Sequence, residues 1–132
     1  MPGLRGPQGY DVLDVSTLGV TATGAANAAV TLTLPAAGAG LFHYITSIVI
    51  QRAGAAALTG TAALVITSTN LPGDPAWSVG NACPAGGSIT DLRFEPAVPH
   101  RSSVANTNTS IVCPVPGAGV LWRINVTYFV AT

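Results

Sequence analysis

Val120-Leu121-Trp122-Arg123-Ile124-Asn125-Val126-Thr127-Tyr128-Phe129-Val130 carries an apolar side chain at every second position. Val120, Trp122, Ile124, Val126, Tyr128 and Val130 fall on one face. Arg123, Asn125 and Thr127 fall on the other. A period of two belongs to a strand, whereas a helix repeats every 3.6 residues. The β-branched and aromatic content suits a pleated, half-buried surface. The segment therefore predicts a long strand with one face in a core.

Working outward, the same signature recurs. Leu41 to Arg52 is the longest apolar run and predicts a second long strand. Regular alternation would put Phe42, Tyr44, Ile48 and Ile50 on one of its faces. Ile45 and Val49 would share the other with Ser47. A long strand at each end of the domain suits neighbouring central strands. Ala29 to Leu34 alternates, with Val30, Leu32 and Leu34 inward, and Pro35 ends it. Ala62 to Thr69 predicts a strand with Leu64 and Ile66 on one face. Ser88 to Phe94 predicts another, with Leu92 and Phe94 in and Asp91 and Arg93 out. Val12 to Val20, Trp77 to Val79 and Thr107 to Cys113 complete about eight strands. Gly, Pro and Asn clusters separate them, as in Asn70-Leu71-Pro72-Gly73-Asp74-Pro75. The expected fold is all-β: an antiparallel β-sandwich, with eight strands suiting a jelly roll. An immunoglobulin-like sandwich is the alternative.

The totals bound the function. A chain of 132 residues fits one domain with one core. Only 8% of residues are charged and the net charge is zero, against roughly 25% charged in an average soluble domain. Nucleic-acid binding needs a basic patch to displace counterions, so it is not expected. An electrostatic membrane anchor is not expected either. Little charge leaves little to repel a second copy, which favours association. No apolar run approaches the ~20 residues of a membrane helix. Met1-Pro2-Gly3-Leu4-Arg5 leads into no apolar signal core, which predicts synthesis in a cytoplasm.

No residue set points to catalysis, a metal or a cofactor. A metal site needs three or four converging ligands. His43 lies inside a strand and His100 in a Pro-rich loop, and the five acids are scattered. His43 reads as a core or interface residue. Asp91 and Glu95 are the nearest to a carboxylate pair, but a cross-strand charge pair explains Asp91 and Arg93. No nucleophile elbow or phosphate-binding glycine loop occurs. The triplets at Asn108 and Asn125 read as chance glycosylation patterns in a Thr-rich chain. Trp122 belongs to the core. Trp77, beside turns, reads as core or intersubunit packing, with ligand stacking as the other reading. Cys83 and Cys113 each precede proline. They form either a disulfide or a pair of buried thiols, and the expected cytoplasmic synthesis favours thiols.

The first eleven residues differ from the rest. Gly3, Gly6 and Gly9 recur at every third position, with Pro7 between them. Only glycine fits the crowded axis of three polyproline-like chains, so this is the collagen pattern. Three triplets cannot hold a triple helix alone. The segment 1–11 reads as a short trimeric stem or a simple Gly/Pro arm, outside the domain 12–132. Gly3, Arg5, Gly6, Pro7, Gly9 and Tyr10 are its candidate contact residues.

Four segments carry a resemblance: Leu41-Phe42-His43-Tyr44-Ile45-Thr46, Thr67-Ser68-Thr69-Asn70-Leu71-Pro72-Gly73, Arg101-Ser102-Ser103-Val104-Ala105-Asn106-Thr107 and Val120 to Tyr128. Together they resemble small virion proteins of tailed bacteriophages, of the capsid decoration (cement) and head-fibre kind. The likeness spans Leu41 to Val130 and rests on short segments rather than a signature. It implies a jelly-roll homotrimer on a virion, made in the host cytoplasm, with the major capsid protein or another virion protein as partner. It implies an arm that reaches along the shell or into a neighbour, and it carries over no catalytic residue. The competing readings are a receptor- or carbohydrate-binding fibre tip and a C1q-like or TNF-like module on a collagen stem.

Overall fold

The computed structural model describes residues 16–54, 57–60 and 62–132. They form nine strands and no helix. The strands are β1 (Leu18–Thr23), β2 (Val30–Leu34), β3 (Phe42–Gly54), β4 (Ala63–Thr69), β5 (Trp77–Gly80), β6 (Ser88–Phe94), β7 (His100–Arg101), β8 (Thr109–Cys113) and β9 (Val120–Ala131). One sheet runs β1-β9-β3-β6, with the two-residue β7 also on β3. The other runs β2-β8-β4-β5. Every pairing is antiparallel. The two sheets enclose one core, so the chain is a β-sandwich.

The two long strands are central neighbours. β3 and β9 pair from Phe42↔Ala131 to Gly54↔Val120. The inward face of β9 follows its alternation: Val120, Trp122, Ile124, Val126 and Tyr128 are all buried. Leu32, Leu34, Ile66 and Ile111 meet them from the facing sheet. Burial of each such side chain stabilises the fold by about 1.5–3 kcal/mol.

Four details depart from the sequence expectation. First, β3 changes phase. Its pairing with β9 shifts between Ile45 and Ser47, leaving Thr46 as an extra residue. An extra residue in one strand inverts the alternation beyond it. His43 and Ile45 therefore point inward before the bulge, and Ile48, Ile50 and Arg52 after it. Phe42 and Tyr44 lie on the outer face, not with Ile48 and Ile50. Second, Asp91 points in rather than out. The β3–β6 register passes from Ile50↔Leu92 to Gln51↔Thr90, so Asp91 is the unmatched residue of another bulge. Third, β1 extends to Thr23, beyond the expected end at Val20. Val12 to Val15 lie outside the described residues, as do the arm residues Gly3, Arg5, Gly6, Pro7, Gly9 and Tyr10. Fourth, the Pro-rich loop expected around His100 contains β7, which pairs Tyr44↔Arg101 and Ile45↔His100.

The strand directions sort the connections to two poles. Loops 35–41, 70–76, 95–99 and 102–108 gather at one, with the start of β1 and the end of β9. Loops 24–29, 81–87 and 114–119 gather at the other. Gly117 is needed at this second pole. Its φ is +117°, and an added Cβ would sit 2.7 Å from Leu58 Cδ1. Only glycine satisfies both conditions without strain.

Candidate functional site

The loop pole that carries the start of β1 is built around His43. Its ring is buried, and both nitrogens are bonded. Nε2 lies 2.8 Å from the Pro35 carbonyl and Nδ1 lies 2.8 Å from Thr109 Oγ1. A carbonyl only accepts, so Nε2 carries a proton, and in the neutral ring Nδ1 accepts from the threonine. Thr109 Oγ1 in turn accepts from Asn70 Nδ2 at 3.2 Å. The Asn70 amide also donates to the Val104 and Thr107 carbonyls, and its oxygen accepts from Val104 N. Asn70 has φ 61°, a left-handed conformation that asparagine tolerates better than most residues. The His43 backbone closes on Ser102: its N donates to Ser102 Oγ, and its carbonyl accepts from Ser102 N.

One network thus ties Pro35, Asn70, Ser102, Val104 and Thr107 to the core edge. Asn106 and Asn108 add bonds to the 35–41 loop through Gly38 N and Ala36 N. Satisfied buried polar networks rigidify the loops they join. Chemically this arrangement holds loops in fixed positions. It presents no unbonded imidazole nitrogen of His43 to solvent. His43 is a core residue, and the sequence signal for that was its place inside an apolar run.

A second polar centre lies toward the opposite pole. Arg52 is fully buried. Its Nε and Nη2 donate to the two oxygens of Asp91 at 2.7 and 2.8 Å. Nη1 donates to the Asn81 carbonyl, and Nη2 reaches the carbonyls of Gly80 and Ala82. The guanidinium carbon lies 5.3 Å from the centre of the Trp122 ring. The Asp91 hydrogen bonds hold the Arg52 pKa above its ordinary value, against the opposing effect of burial. A guanidinium fork matches this site where an ammonium would not. Arg52 shares the face of Ile48 and Ile50 by plain alternation, but its partner was missed, because Asp91 faces inward only through the bulge in β6.

The remaining candidates fall into place around these centres. Trp77 is half-buried against the core edge, its ring 5.8 Å from that of Phe94. Trp122 is buried and donates from Nε1 to the Pro114 carbonyl at 2.6 Å. Cys83 and Cys113 are buried and unbonded to each other. Burial, with Asp91 adding to it, pushes the Cys113 thiol up to about 12. Arg93 pairs with Glu95 on the surface, not with Asp91. Among the described residues, no three His, Cys, Asp or Glu side chains are placed to hold a metal ion.

The outer surface of the β1-β9-β3-β6 sheet shows a different chemistry at the first pole. Tyr44 and Phe129 stack at 4.9 Å with ring planes 2° apart. The Arg101 guanidinium lies 4.4 Å from the centre of the Phe42 ring. Further along the face the side chains are hydroxyls: Thr46 and Ser47 each lie 2.7 Å from Thr127 Oγ1. Val98 and Val104, both on loops of this pole, are exposed. The pole therefore combines rigid loops with uncovered apolar and aromatic surface. No protein-family model matches this sequence, and no curated protein matches it either.

Proposed function

We propose that this chain is a virion structural protein: a decoration or cement subunit that binds and stabilises a phage capsid as a trimer. The strand pairing carries the reading. With the two-residue β7 set aside, eight strands remain. The first pairs with the last (β1·β9), the second with the seventh (β2·β8), the third with the sixth (β3·β6) and the fourth with the fifth (β4·β5). Nested pairing of this kind is what a rolled antiparallel ribbon produces, and it supports a jelly roll. Viral capsid and lectin domains use that architecture.

Two further features favour a shell subunit. Charge is scarce, which suits packing against other subunits. The loops at one pole are tied together by hydrogen bonds centred on the buried His43, so contact there costs little ordering entropy. Nothing in this reading calls for a cofactor, a nucleic acid or a membrane. The partners in this reading are two further copies and the major capsid protein or another virion protein.

The test is the native mass in solution. The account expects three times the 13.2 kDa chain mass. A stable monomer that binds glycans on an array would overturn it.

A further inference from the structure

β1 ends its sheet, and among the described residues no strand pairs beyond it. A free edge is a template for another strand, and proteins blunt such edges with charge, proline, bulges or brevity. The other edges here carry those devices. β6 has the bulge at Asp91 and the charge of Arg93, with Glu95 just after it. β5 has four residues and β7 two. β2 has five and runs into Pro35. β1 has none of them. Its six residues, Leu18-Gly19-Val20-Thr21-Ala22-Thr23, are uncharged and keep one unbroken register with β9.

The direction of its backbone groups follows from one bond. Gly24 N donates to the Trp122 carbonyl at 3.0 Å. Bonded and unbonded pairs alternate along an antiparallel ladder, so Leu18, Val20 and Ala22 bond to β9. Gly19, Thr21 and Thr23 turn their N–H and C=O groups to the open edge. Thr21 Oγ1 donates to Asn125 Oδ1 at 2.8 Å, the close side-chain approach of an unbonded pair. The apolar rim is uncovered as well. Tyr128, Val126 and Ile124 are buried, whereas the residues opposite them, Leu18, Val20 and Ala22, are exposed or half-buried.

This edge matches itself. Run antiparallel about Thr21, two copies place Gly19 opposite Thr23, Thr21 opposite Thr21 and Val20 opposite Ala22. Each outward N–H then meets a C=O, giving about six hydrogen bonds. Threonines pair on one face, apolar side chains pair on the other, and no like charges meet.

We propose that β1 pairs with β1 of a second copy across a two-fold axis, joining two β1-β9-β3-β6 sheets into one. So short an edge buries less than the roughly 1,200 Å² of a stable interface, so the contact forms as concentration rises or within a larger assembly. This goes beyond the virion reading and stands whether or not the chain forms trimers.

Thr21→Cys and Thr23→Cys test it in the full chain, in a buffer of reduced and oxidised glutathione. Both positions are exposed, and Cys83 and Cys113 are buried. Across the axis the two Thr21 Cα atoms lie roughly 5.5 Å apart, within disulfide range, and the two Thr23 Cα atoms roughly 14 Å apart, beyond it. Thr21→Cys is expected to form a covalent dimer at least about tenfold faster than Thr23→Cys. Equal rates, or no dimer from Thr21→Cys, would overturn the proposal. In the unaltered chain, hydrogen exchange at the Gly19, Thr21 and Thr23 amides is expected to slow as concentration rises, with Val20 and Ala22 protected throughout. Protection of the first three at every dilution would assign the edge to another segment of the same chain and overturn the pairing. Fast exchange at every concentration would overturn it too.

Discussion

Arg52 on β3 and Asp91 on β6 place two charges on the inward, buried faces of neighbouring strands. The pair survives there because each charge is bonded. Asp91 receives two donors, and Arg52 also reaches three carbonyls of the 80–82 segment. Removing one partner strands the other in a medium of low dielectric. Asp91→Ala is therefore expected to destabilise the fold by about 3–5 kcal/mol, measured by urea denaturation. Arg93→Ala, which breaks only the exposed Glu95 pair, should cost under about 1 kcal/mol. Similar losses for both would contradict the buried site.

Cys113 makes a separate prediction at the same scale. Its thiol is raised from an ordinary value of 9.0 to about 12. The folded state thus holds the proton more tightly than the unfolded state. The resulting stability is fully present below pH 9 and is lost as the pH climbs from 9 toward 12. Denaturation midpoints should fall across that window in the unaltered chain and fall less in Cys113→Ala. At pH 8 the native Cys113 should resist alkylation, because the thiolate is the nucleophile. These residue-level roles were only half legible in the sequence. The buried His43 could be read from its apolar neighbours, whereas the inward Asp91 could not, since its direction depends on a bulge in β6.

The elements were more legible than their faces. β9 has no register shift, and its alternation predicted every inward residue from Val120 to Tyr128. β3 contains one bulge in its pairing with β9 and faces another in β6, and its alternation misassigned Phe42 and Tyr44 for that reason. Thr46 caps its own bulge by donating to the Thr127 carbonyl at 2.9 Å. Deleting Thr46 would force either His43 and Ile45 outward or Ile48, Ile50 and Arg52 outward. Neither set can be exposed without emptying part of the core. Deletion of Thr46 is expected to abolish cooperative thermal unfolding, whereas Thr46→Val should keep it. A deletion variant that unfolds cooperatively near the original temperature would show that the bulge is dispensable. β7 escaped notice because two residues are too few to show any period.

At the scale of the molecule, turn signals and strand count reached the β-sandwich but not the pairing. Pairing between distant strands, such as β1 with β9, leaves no local trace. It follows from which apolar faces can close over one another. The result places the start of β1, the end of β9 and a rigid set of loops at one pole. A subunit that fastens to a repeating lattice would dock through such a pole, since fixed loops and scarce charge suit repeated contact. The account's central claim is that this chain is a stoichiometric part of a virion shell. Quantitative mass spectrometry of salt-washed particles from the source of the sequence tests it most directly. The account predicts this chain in a fixed ratio to the major capsid protein, unchanged between preparations. Its absence from intact, infectious particles would contradict the claim.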